Sequence, residues 1–192
     1  MTARSMMDRD QIRRAITRLG REIVERHGGT HGLVLIGIQR RGVILAARLA
    51  DEIAESEQVR LPVGSLDIAL YRDDLSELVG YPIVRPTELS FDITDRTVIL
   101  IDDVLFTGRT VRAAMDALTD FGRPRAIRLA VLIDRGHREL PIRANHVGWN
   151  LPTARAERVN VHVQELDGID EVELGTAPTT SAGVEDAAQA RG

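Results

Sequence analysis

Neither cysteine nor lysine occurs anywhere in these 192 residues. Without cysteine there can be no disulfide, no thiolate metal site and no thiol nucleophile. Without lysine, all 25 basic side chains are arginine, so any side-chain cation that meets a phosphate is a planar, permanently charged fork. Aromatic residues are only 3% of the chain, which leaves an aliphatic core and favours an α/β protein with parallel strands over an aromatic-rich sandwich. No apolar run approaches the roughly 20 residues that a membrane helix needs. The first 14 residues are charged and lack the apolar stretch of a signal peptide, so a cytoplasmic protein with no membrane partner is expected. The net charge of −4 offers nucleic acid no global attraction, so any polyanion must be held by a local patch.

Hydrophobic residues reach 43% and charged residues 28%, enough for one compact domain with its own core. Ile12, Ile16, Leu19 and Ile23 recur at helical spacing, predicting a helix over 8–27 that Gly28-Gly29 stops. Strands are predicted at 33–38, 63–71, 97–101, 126–133 and 159–163, the last being more exposed. Further helices are predicted over 43–56 and 110–120. The stretch 71–88 has no sustained period and reads as a long functional excursion. Residues 1–170 form the expected domain. Residues 171–192 are set aside as a tail, and the Gly/Thr/Ala-rich part from 175 onward is expected to be disordered. Alternating strands and helices predict a parallel sheet flanked by helices, with ligands beyond the carboxyl ends of the strands.

The segment Val98-Ile-Leu-Ile-Asp-Asp-Val-Leu-Phe-Thr-Gly-Arg-Thr110 carries the chemistry. A buried strand delivers Asp102 and Asp103 at its carboxyl end, and Thr107-Gly108-Arg109-Thr110 leads into a helix. Unpaired amides at a helix start attract a phosphate, Gly108 permits close backbone approach, and the two threonines add hydroxyl donors. The adjacent carboxylates can accept hydrogen bonds from vicinal hydroxyls, or hold Mg²⁺ through water. The competing interpretation is a turn whose Asp and Thr only cap the helix.

This segment resembles, along its full length, the motif with which type I phosphoribosyltransferases bind 5-phosphoribosyl-1-pyrophosphate (PRPP). The resemblance implies that fold, with a small hood and a mobile loop. It implies that Asp102 and Asp103 address the ribose hydroxyls, that Thr107 to Thr110 hold the 5-phosphate with Val104, Leu105 and Phe106 also in the substrate site, and that Arg40-Arg41 sits in a pyrophosphate loop. From about Ile12 to Val163 the chain resembles one family, the bifunctional pyrimidine operon regulators and uracil phosphoribosyltransferases (PyrR). The most specific pieces are Asp67-Ile-Ala-Leu-Tyr-Arg-Asp-Asp-Leu75, Arg109-Thr-Val-Arg112 and Asp134-Arg-Gly-His-Arg-Glu-Leu-Pro-Ile-Arg143.

That resemblance implies conversion of uracil and PRPP to UMP and pyrophosphate, with Mg²⁺ carried by PRPP and no dedicated protein cage. Arg72 on the loop would close over the pyrophosphate, while Arg135 and the backbone around Val159 would hold uracil. It also implies UMP-stimulated binding to a structured leader in pyrimidine-gene mRNA through Thr17, Arg18, Arg21, His137, Arg138 and Arg143, and a homodimer or higher homo-oligomer. Independently of the family, Arg14, Thr17, Arg18 and Arg21 form a polar stripe at helical spacing opposite the apolar face. Three positions depart from the family pattern: Arg21 replaces a common His, Trp149 replaces a common Lys and supplies an indole that could stack on a base, and Ala154 replaces a seryl residue. The alternatives are a purine or orotate phosphoribosyltransferase without an RNA role, and a nucleotide-sensing RNA regulator whose catalysis has decayed.

Overall fold

A computed structural model describes residues 3–71 and 86–176. The first helix, α1 (Arg9–His27), begins where Asp8 and Gln11 close a reciprocal capping box, each side chain accepting the other's backbone N–H at 2.8 and 2.9 Å. Strand β2 (Leu33–Ile38) follows and is buried at all six positions, as a parallel strand covered on both faces must be. Then come α2 (Arg41–Glu57), β3 (Val63–Leu66), β4 (Thr97–Leu105), α3 (Arg109–Leu118), β5 (Ala126–Asp134) and β6 (His146–Asn150). The strand expected over 63–71 ends at Leu66 and gives way to a 3-10 turn at Ala69–Tyr71.

These five strands form one parallel sheet in the order β3-β2-β4-β5-β6. Side chains alternate between its faces. Leu33, Leu35, Ile99 and Ile101 pack with α1 and α2 on one side, while Val34, Ile36, Val98 and Leu100 pack with α3 on the other.

A second, antiparallel sheet, β1-β8-β7, forms the hood. It is built from β1 (Arg4–Met7), β7 (Glu157–His162) and β8 (Glu171–Thr176), with the short α4 (Gln164–Asp167) between the last two. This corrects the expected domain end. Residues 171–176 are the central hood strand, with Val172 and Leu174 buried in the core, and β7 is not the last strand. The rest of the expected tail, from 177 onward, lies outside the described residues, as do Arg72 and the loop expected to be mobile. The excursion rejoins the sheet where Glu88 and Ser65 exchange backbone hydrogen bonds at 2.9 and 3.0 Å.

Candidate active site

The chain order of the sheet creates a crevice. From β2 the chain crosses by α2 outward to β3, and from β4 it crosses by α3 in the opposite direction to β5. Strands β2 and β4 are neighbours, so the connections leaving their carboxyl ends diverge there, and such a switch point is where open α/β sheets bind ligands. Residues 39–42 leave β2 at this crevice, and residues 102–110 leave β4. The two loops can approach because of glycine. A Cβ on Gly42 would stand 2.4 Å from the Ile101 carbonyl oxygen, and one on Gly37 would stand 2.4 Å from the Gly42 oxygen.

On the β4 side, Asp102 is buried, and its Oδ1 accepts the Asp103 N–H at 3.0 Å. Asp103 Oδ1 accepts the Val104 N–H at 2.9 Å. Burial first, then the charge and hydrogen bond of Asp103, push the Asp102 carboxyl well above the usual carboxylate range. A protonated acid beside a second carboxyl can both donate to and accept from a vicinal diol. Gly108, with φ +94, is the N-cap of α3, and no side chain caps the first turn. Among the described residues the side-chain acceptor at that turn is Thr107 Oγ1, a long 3.4 Å from the Arg109 amide, so the turn is not simply a capped helix end. The Thr107 carbonyl is braced from behind by the amides of Glu139 and Leu140 at 2.9 and 3.2 Å.

On the β2 side, Arg40 is exposed, and none of the described residues pairs with its side chain. Arg41 does not share that freedom, because Asp167 of the hood holds it in a bidentate pair at 2.8 and 3.3 Å.

The segment after β5 forms a collar rather than a set of open ligands. Arg135 is only 6% exposed, and its guanidinium lies 4.1 Å above the Phe106 ring. Its Nε donates to Thr153 Oγ1 at 3.1 Å and its Nη2 to the Ala154 carbonyl at 3.0 Å; burial pulls its pKa below the ordinary arginine value. His137 Nε2 bonds the Thr153 carbonyl oxygen at 2.6 Å, and its ring meets Phe106 edge-on. Arg138 donates to the carbonyls of Phe106, Gly136 and Ile142 at 2.9 to 3.1 Å and pairs with Asp134. Arg138, expected to face RNA, thus has its guanidinium engaged as a pin between the β4 and β5 loops. Val159 lies on β7, the hood edge strand that touches β4, with its side chain in the core.

The remaining expected RNA residues fall into two groups. Arg18 and Arg21 are exposed on α1, where Arg18 donates to the Gly148 carbonyl oxygen of β6. Thr17 is half-buried and bonds Glu52 Oε2 at 2.7 Å. With Arg13 and Arg14 these residues line a concavity of about 600 Å³. Arg143 is exposed beside Ile142, which packs on the α3 side of the sheet, away from α1. Trp149 packs partly buried against the core on the α1 side.

Two residues with no role in the sequence reading join the site. Glu139 bridges Arg109, at 3.0 Å, and Arg155, and both arginines lower its pKa. Asp167 clasps Arg41. Glu139 lies within the Asp134–Arg143 segment, whereas nothing local to Asp167 marks it in the sequence.

The family pattern described as "Phosphoribosyl transferase domain" matches residues 6–164. A protein named "Bifunctional protein PyrR" from Deinococcus radiodurans is 60% identical over 170 residues, covering 88% of this chain and 93% of that one. Another of that name, from Roseiflexus sp., is 57% identical over 182 residues, covering 94% of this chain and 100% of its own. Among solved structures, the hypoxanthine phosphoribosyltransferase of Trypanosoma cruzi superposes with a TM-score of 0.68 at 18% identity, over 90% of this chain and 96% of that one. The Staphylococcus aureus enzyme of the same name gives 0.67 at 20%, over 91% and 93%. At that identity the structures share the fold alone.

Proposed function

This chain belongs to the phosphoribosyl transferase family, as one of its bifunctional PyrR proteins, and from that premise we propose that it joins uracil to PRPP, releasing UMP and pyrophosphate. The observation that carries the reading is the meeting of twin carboxyls, an uncapped helix start and an unpaired arginine at the sheet's switch point. In this reading Asp102 and Asp103 grip the ribose hydroxyls. The amides of the first α3 turn, with the Thr107 and Thr110 hydroxyls, hold the 5-phosphate. Arg40 and the loop beside it meet the pyrophosphate. The bond from the anomeric carbon to pyrophosphate breaks as a bond to a uracil nitrogen forms, through an oxocarbenium-like transition state. Such a step asks for positioning and for neutralisation of the leaving group, and it needs no covalent nucleophile.

Mg²⁺ would lower the charge of the leaving pyrophosphate. Among the described residues no group of three or more His, Asp or Glu could hold a metal. The adjacent Asp102 and Asp103 carboxyls are hard oxygen donors that suit Mg²⁺, and in this reading the ion is held mainly by the oxygens of PRPP, with Asp103 contributing through water.

The test is the double substitution Asp102→Asn with Asp103→Asn. UMP formation should fall by at least about 10³-fold while far-UV circular dichroism is retained; wild-type turnover refutes the assignment. The same assay addresses the alternatives. The hypoxanthine enzymes share only the fold, so they lend a purine reading no support. A regulator with decayed catalysis would retain PRPP binding without turnover.

A second, RNA-directed activity rests on the α1 face, where Arg14 and Arg21 are exposed and unpaired among the described residues. A filter-binding titration with a pyrimidine-leader RNA, with and without UMP, checks it. Arg21→Ala should weaken binding and flatten the log–log salt slope by about one without touching uracil turnover. Binding no tighter than to a scrambled RNA sinks this part.

A further inference from the structure

The two arginines of the 39–42 loop are in opposite conditions. Arg40 is open. Arg41, the first residue of α2, has its guanidinium gripped by the hood, with Nη2 at 2.8 Å from Asp167 Oδ1 and Nε at 3.3 Å from Oδ2. The pair is partly sheltered, the two side chains being 33% and 20% exposed. Asp167 Oδ2 also accepts the Val163 N–H at 2.9 Å. That bond, and after it the Arg41 guanidinium, hold the carboxyl below the usual range, so it is ionised throughout the neutral region. On either side of Asp167, Glu165 and Asp170 are tied to Arg48 of α2 at 2.6 and 2.7 Å, which fixes this part of the hood without help from Arg41. The hood thus presents two carboxylate oxygens to an arginine fork in the way two phosphate oxygens would.

We propose that Asp167 sets the affinity of the site for ligands bearing a pyrophosphate, by occupying the Arg41 fork that a pyrophosphate must take over. The proposal rests on the reading above that the 39–42 loop receives the pyrophosphate of PRPP. A ligand that competes with the hood for Arg41 gives up part of its binding to break that pair. UMP carries no pyrophosphate and leaves the pair closed. Substrate-loaded and UMP-loaded forms then differ at the contact between hood and loop.

If Asp167 instead only stapled the hood down, its loss would weaken every ligand alike. Isothermal titration of the full chain with pyrophosphate plus Mg²⁺, and separately with UMP, distinguishes the two. In Asp167→Asn the amide oxygen can still accept the Val163 N–H while the charge is gone. Pyrophosphate should bind about tenfold tighter and KM for PRPP should fall with it. The Kd for UMP should stay unchanged, and adding Arg41→Ala should erase the gain. Pyrophosphate binding that is unchanged or weaker in Asp167→Asn overturns the proposal, as does an equal change for UMP. A wild-type chain that binds no pyrophosphate removes the reading of the loop itself, and this inference with it.

Discussion

Residues 102–110 and residues 134–155 wall the same crevice, yet their polar groups are differently employed. Along the first stretch, the buried Asp102 carboxyl has its pKa pushed up and no cation among its described hydrogen-bond partners, and the helix start has no side-chain cap. Along the second, Arg135, His137 and Arg138 direct their nitrogens onto protein carbonyls and hydroxyls. Buried polar groups in folded proteins are normally satisfied. Unused capacity therefore distinguishes a candidate dock, and filled capacity the frame that holds it in shape. Both stretches are rich in charge, so charge alone does not separate them.

The difference predicts that substitutions in the frame cost stability, while substitutions in the dock cost turnover and leave stability equal or higher. The largest stability effect belongs to Arg138→Ala. It strands the carbonyls of Phe106, Gly136 and Ile142 and the Asp134 carboxylate, and it should lower the unfolding free energy by about 2–4 kcal/mol, read from urea denaturation at constant m. A variant as stable as wild type that loses only RNA affinity would break the comparison. Asp102→Asn alone should act in the opposite direction and more weakly. The folded-state pKa of Asp102 is raised above its ordinary 3.8. The stability its proton supplies is therefore fully present below that value and lost as pH rises through the folded pKa. At pH 7 the wild type carries a penalty that the amide lacks, so Asp102→Asn should melt higher than wild type there. The gap should close as the pH is lowered toward 4. A lower melting point at pH 7 would mean that Asp102 belongs to the frame after all.

The parts of this molecule legible in one dimension are those whose determinants are contiguous. Strand β2 occupies the residues its apolar run predicts, 33–38. The α1 helix follows its apolar period and its Gly28-Gly29 stop, and the Asp102–Thr110 corner is one unbroken motif. Strand β8 reads as tail in the sequence because its composition is largely polar. Its alternating Val172 and Leu174 were the available signal, but what stabilises it is pairing with β1 and β7 at opposite ends of the chain. Strands β1 and β6, of four and five residues, are too short for a period to stand out.

By itself the sequence determined the longer helices and the central strands, which face of the first helix is apolar, and where a phosphate could meet a helix start. Those properties depend on neighbours within a few residues. The tertiary structure alone decided how each arginine is employed. Arg41 finds its acid 126 residues away, and Arg135 finds its acceptors 18 and 19 residues away across a loop. A guanidinium looks the same in sequence whether it is free or held, because its partner is chosen by how the folded chain brings distant loops together.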